Sequence, residues 1–170
     1  MSDQDMMVVL AASYDDLAAA EADYEAVKAL YYEAGVGHDF DAAVLQREAG
    51  GKVKVVDKHE QETRHTAWKG LALGAAAAIL PGIGLAVGAA VGAGIGAVTG
   101  HFKGGMSDDD LKKLGEVLDE GQAGLLVLYK ANMADQVAAS IKARNHYISR
   151  QIDADADELA RQLKEAEGTS

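Results

Sequence analysis

The segment His59-Glu60-Gln61-Glu62-Thr63-Arg64-His65 gathers metal-binding and acid–base side chains. A zinc peptidase helix carries its second histidine four residues after the first, so that both imidazoles hold one ion and a glutamate between them acts as base. Here that position is Thr63, and the segment reads as a polar connector. Asp153-Ala-Asp-Ala-Asp157 spaces carboxylates like a calcium loop. An EF-hand loop also needs glycine at its sixth position and glutamate at its twelfth. Those positions are Glu158 and Lys164, so the acids read as a solvated helix face. Gly82-Ile-Gly84 does not join a strand to a helix within a βαβ unit, which a dinucleotide loop requires. Ser13 has no histidine nearby, and His38, His101 and His146 stand alone. No catalytic residue, cofactor-binding residue, cofactor or metal ligand is assigned, and the chain is expected not to be an enzyme.

The elements around these groups follow from periodicity. Met6–Ala12 is a Val-containing apolar run, read as a strand. Asp15–Ala34 carries Leu17, Ala20, Tyr24, Val27, Leu30 and Tyr31 at helical spacing. Ser13 or Asp15 can cap that helix, and Gly35 and Gly37 can stop it. Phe40–Arg47 and Lys52–Lys58 alternate around Gly50-Gly51, as hairpin strands do. Ser107 with Asp110 opens a second helix whose stripe is Leu111, Leu114 and Leu118, ending at Gly121. Gly124–Ala131 reads as a buried strand, and Met133–Glu167 as one long amphipathic helix. The expected fold is α+β: a ferredoxin-like βαββαβ domain interrupted by an apolar insert and followed by a C-terminal helix. The parts are 1–66 and 104–131 for the domain, 67–103 for the insert, and 132–170 for the last helix.

Composition narrows the function classes. With 16 Lys+Arg against 27 Asp+Glu the formal charge is −11, so no general nucleic-acid binder is expected. The chain has no cysteine, which excludes disulfides, thiolate metal sites and thiol nucleophiles. Met-Ser-Asp-Gln-Asp lacks the basic and apolar regions of a secretory signal. The glycines are unevenly placed: Gly84, Gly88, Gly92, Gly96 and Gly100 recur every four residues, and Gly70 and Gly74 begin the same spacing earlier. On a helix such glycines share one face and let another backbone approach closely. Interleaved Ile79, Leu80, Ile83, Leu85, Val87, Val91, Ile95 and Val98 distinguish the segment from a flexible linker.

Pro81-Gly82 divides the insert into a helical hairpin. Its arms, Trp68–Leu80 and Gly84–Gly100, would span about 20 and 25 Å, less than the ~30 Å of a bilayer core. Trp68 and Lys69 at one end and Phe102 and Lys103 at the other pair an aromatic with a base, as membrane interfaces favour. They serve equally as core residues at the hairpin's base. A hairpin this apolar must be covered by lipid, by other copies of itself, or by both.

The chain resembles an uncharacterised bacterial domain-of-unknown-function family of predicted membrane proteins, of actinobacterial type. The resemblance runs from about Met6 to Tyr129. It is carried by Lys58-His59-Glu60, by Trp68-Lys69-Gly70-Leu71, by the Gly-rich hairpin, and by Met106-Ser-Asp-Asp-Asp-Leu-Lys-Lys-Leu-Gly with Leu118-Asp-Glu-Gly-Gln-Ala-Gly. It implies a membrane or stress-associated role and no reaction. The expectation is a non-enzymatic self-assembling protein, its partners being itself and a lipid membrane, with its polar domains on the cytoplasmic side. A large soluble cytoplasmic assembly is the alternative location. A small-molecule sensor or enzyme on the sheet, anchored by the hairpin, is the alternative function.

Overall fold

Apolar residues dominate both parities of Met6–Tyr14, Phe40–Leu45 and Ala123–Tyr129, so these segments need partners on two faces rather than one. A computed structural model of the chain describes residues 6–35, 40–47, 53–58, 79, 85–86, 104–142 and 144–155. The strands are β1 (Met6–Tyr14), β2 (Phe40–Arg47), β3 (Val53–Lys58), β4 (Leu85–Ala86), β5 (Ala123–Lys130) and β6 (His146–Asp155). Among the described residues the complete helices are α1 (Leu17–Glu33), α2 (Asp108–Glu120) and α3 (Ala134–Ser140), the last preceded by a 3₁₀ turn at Ala131–Met133. One sheet holds all six strands in the order β4-β3-β2-β5-β1-β6, antiparallel except where β4 lies parallel to β3.

β5 is the central strand, with Tyr129 beside Val8 on one side and Phe40 on the other. Its pairing with both β1 and β2 matches the expectation for Gly124–Ala131. The order does not match the ferredoxin-like one. The β1–α1–β2 crossover passes over β5, and the path from β3 through α2 to β5 passes over β2. A ferredoxin-like domain keeps its crossover helices on one face of the sheet. Here they cover opposite faces. On the first face Leu10, Ala12, Ala42, Val44, Leu125 and Val127 pack with Ala20, Tyr24, Val27 and Tyr31 of α1 and with Val137 of α3. On the second, Leu118 of α2 reaches over Gly124 and Leu45, and Leu114 and Val117 are buried with it. The fold is α+β with a two-sided sheet, which is why the strands are apolar on both parities.

Caps settle the helix starts. Asp16, not Ser13 or Asp15, caps α1, its carboxylate accepting from Ala19 N at 2.8 Å. Ser13 is inside β1 and donates to the His146 carbonyl. Gly35, at φ +76°, ends that helix in the left-handed conformation glycine adopts without a Cβ penalty. Ser107 caps α2 as expected, accepting from Asp110 N at 3.1 Å, with Gly121 at the other end.

The long C-terminal helix is the largest correction. Helix α3 stops at Ser140 and the chain re-enters the sheet as β6. Ile141, Ile148 and Ile152 fit a helical stripe in the sequence, but Tyr147, Ile148 and Ile152 also suit a strand. Tertiary structure decides. β6 supplies partners for the outer edge of β1, and Asn145 anchors the turn, its N–H on the Ser13 carbonyl and its side chain on Asp15 at 2.6 Å. The part of the expected helix beyond Asp155 lies outside the described residues.

Candidate functional site

The features that could carry function are the root of the insert and a buried polar cluster under α1. The root begins with a glycine inside a helix. Gly115 lies in the middle of α2, where glycine costs about 1 kcal/mol relative to alanine. Close approach explains it: a Cβ there would lie 3.2 Å from the Ile79 carbonyl oxygen and 3.7 Å from its Cγ2. Ile79 is buried against this helix. Leu85 and Ala86 pair with Val53 and Lys54 at the β3 edge. The insert is thus fastened to its own domain at two points. A continuous second arm over Gly84–Gly100 is corrected accordingly, since Leu85–Ala86 is strand. At Ile79 the cover is α2 of the same chain, a covering that the sequence argument did not include.

Gly115→Leu is expected to push Ile79 off α2, at about the 1–3 kcal/mol typical of overpacking, while Gly115→Ala stays near neutral as helix propensity offsets a tight contact. Hydrogen exchange at the Ile79 amide reads this directly. Native-like protection in Gly115→Leu would show that the seat is not at Gly115.

Of the insert residues singled out in the sequence, Gly70, Gly74, Pro81, Gly84, Gly88, Gly92, Gly96 and Gly100 lie outside the described residues. So do Trp68, Lys69, Phe102 and Lys103. Among the described residues no helix is long and apolar enough to cross a membrane.

The second feature is polar. Asp23 is 3% exposed on the inner side of α1. It accepts from the Tyr14 hydroxyl at 2.7 Å and from Lys142 N at 3.1 Å, joining β1, α1 and the α3–β6 turn. Arg144, two residues on, lies over the Tyr147 ring at 4.4 Å, and its Nε is buried with no hydrogen-bond partner among the described residues. Burial first, then the hydrogen bond to Asp23 and its charge, hold the Tyr14 hydroxyl far above its ordinary range; Arg144 opposes this. Such a hydroxyl keeps its proton at neutral pH, and the cluster ties three elements together. Sequence reasoning passed over Asp23, although its place between Ala20 and Tyr24 puts an acid on the inward stripe. Among the described residues no three His, Cys, Asp or Glu side chains are grouped to hold a metal.

Burial likewise pushes Tyr129 up to about 12, against a lowering hydrogen bond from Ser149. In the unfolded chain both tyrosines ionise near 10, while the folded chain keeps them neutral. Their contribution is complete below about pH 10; that of Tyr129 is lost as pH rises through about 12, and that of Tyr14 goes on falling beyond it. For Tyr129 the loss is on the order of 2–3 kcal/mol. Tyr129→Phe is expected to flatten the fall in urea stability between pH 10 and 12; an unchanged slope would contradict this.

Residues 67–165 match the family model described as protein of unknown function (DUF1269), more than half of the chain. The chain belongs to this family. The DUF1269 segment contains the insert, α2, β5, α3 and β6, whereas β1, α1, β2 and β3 precede it. It therefore begins later than the resemblance seen in the sequence and extends past Tyr129. The apolar insert is part of the family's own segment, as is the C-terminal region. No curated protein and no solved structure matches the chain.

Proposed function

We propose that the protein is a non-enzymatic, self-assembling, membrane-associated scaffold whose glycine-rich inserts pack together in a homo-oligomer and contact lipid. The observation that carries this reading is the tandem of Gly88, Gly92, Gly96 and Gly100, past the Leu85–Ala86 strand, among large aliphatic residues. A repeat of that length presents a smooth strip for another backbone. Its apolar flanks need more cover than water-facing surface tolerates. The rooting of the insert at Gly115 and at the β3 edge supports the reading, because it gives the insert a fixed place relative to the sheet. The acidic sheet domain remains on the cytoplasmic side, where the bases flanking the insert favour it.

The test is fractionation without detergent and alkaline carbonate washing, followed by light scattering of the native chain and of the triple variant Gly88→Ile, Gly92→Ile, Gly96→Ile. The native chain is expected in a large or membrane-bound species. The triple variant should dissociate or misassemble, since overpacking costs about 1–3 kcal/mol per site. A small soluble monomer would defeat the proposal. A large soluble particle would remove lipid and retain assembly. Unchanged mass in the triple variant would refute the glycine interface.

A further inference from the structure

We propose that the first arm of the insert, Trp68–Leu80, docks on its own sheet: it is the crossover helix between β3 and β4, laid beside α2 over the second face. β3 and β4 are parallel neighbours, Val53 beside Leu85 and Lys54 beside Ala86. Such a pair needs a connection of about a dozen residues or more, usually a helix, that returns the chain to the starting end of the strand. Residues 59–84 make that connection. β3 has six residues and so is about 20 Å long. The first arm returns about the same 20 Å as a helix.

Two observations choose the face. The β1–α1–β2 crossover passes over the first face. β3 and β4 run opposite to β1 and β2 but step the same way along the sheet, so a crossover of the same hand passes over the second. Ile79, which is helical and shortly precedes Leu85, stands on that face against Gly115. The two flanks of α2 differ. Asp110 and Glu120 reach Arg150 and His146 of β6, whereas the Asp119 carbonyl accepts from Arg47 of β2 at 3.2 Å. Gly115 is one turn before Asp119, so Ile79 stands on the β2 flank.

The sheet beneath that flank needs a cover. α2 stands mainly over β1 and β6. By the β2–β5 ladder, Ala43, Leu126 and Leu128 share the second face with Leu45 and Gly124, and all three are fully buried. The first arm suits this floor, because its one charge is Lys69, near its start. On a helix ending near Ile79, Ala75 and Ala72 fall on the face of Ile79. Small side chains there let two helices approach closely, as Gly115 does from α2. An arm so docked is part of the folded domain. The contact proposed above then falls to the arm carrying Gly88, Gly92, Gly96 and Gly100, and the docking does not depend on that contact.

The chain has no cysteine, so an engineered pair in the full chain reports alone. α2 runs opposite to β3, from Asp110 by Arg150 to Glu120 by His146, and a return from Lys58 to Leu85 runs the same way. One turn before Ile79 and Gly115, Ala75 therefore falls beside Leu111. Ala75→Cys with Leu111→Cys should oxidise to a disulfide within one chain, read by mass after denaturation. Val91→Cys with Leu111→Cys, on the second arm, should do so about tenfold more slowly or less, since the bond forms only between close Cβ atoms. The reading is the same whether or not the chains assemble. A bond between chains, equal rates for the two pairs, or no bond from Leu111→Cys to Ala72→Cys, Ala75→Cys or Ala76→Cys would overturn the inference. Hydrogen exchange gives a reading free of cysteine. The 68–80 peptide should be protected in the native chain and exchange about tenfold faster or more in Gly115→Leu, as a locally released element does. Exchange of 68–80 that ignores Gly115→Leu would overturn the docking.

Discussion

Gly121→Val is expected to cost about 3 kcal/mol or more, above the usual range for overpacking. The reason is the kind of atom it would meet. A Cβ at Gly121 would run into the Tyr14 carbonyl oxygen and lie 2.9 Å from Tyr14 N and 3.0 Å from the Ala123 oxygen. All three are backbone, and the neighbouring Gln122 N–H donates to that same Tyr14 oxygen at 3.1 Å. A flexible side chain could turn aside; the end of β1 and the start of β5 cannot without breaking their ladder. At φ −110° the glycine is not needed for its own dihedral angles, so the cost is steric. Domains are stable by only about 5–15 kcal/mol. Urea denaturation should show a sharply lowered midpoint in Gly121→Val and a smaller drop in Gly121→Ala. A native midpoint in both would mean that β1 and β5 yield here without cost.

Asp23→Leu is the other change expected to be severe, at about 2–5 kcal/mol, since each buried group left without its partner costs about 1–3 kcal/mol. The lost carboxylate strands the Tyr14 hydroxyl and the Lys142 N–H. Adding Tyr14→Phe should recover part of that loss, because the hydroxyl needing a partner is gone. A double-mutant cycle measures the coupling. Strictly additive losses would show that the two side chains do not act as a pair.

Much of the architecture was legible because single segments carried their own signals. Ser107 and Asp110 marked the start of α2, and Gly121 its end. The alternation of Phe40–Arg47 and Lys52–Lys58 gave β2 and β3 nearly to the residue. What failed depended on distant neighbours. Ile148 and Ile152 satisfy either period, and only the unfilled edge of β1 makes His146–Asp155 a strand. The strand order was beyond local pattern too, because nothing within Ala123–Lys130 says that it separates β1 from β2. Of the candidate site, the glycine spacing was plain in the sequence. The role of Gly115 was hidden, since an isolated helical glycine announces no contact until Ile79 is seen against it. Asp23 carried a legible signal, an acid on an apolar stripe, that the periodicity argument overlooked.

The central place of β5 also fixes an order of events. Met7 pairs with Lys130 and Phe40 with Tyr129, so both inner ladders bridge chain separations that are slow to close. As the chain leaves the ribosome, β1, α1, β2 and β3 emerge first, and β1 and β2 have no strand between them until residues 123–130 follow. The glycine-rich segment is synthesised within that interval, before the sheet beside it is closed and before Gly115 has been added as its seat. For that time the most apolar part of the chain is the part with no finished surface to rest on, and it is free to meet a chaperone, a membrane or another nascent copy first.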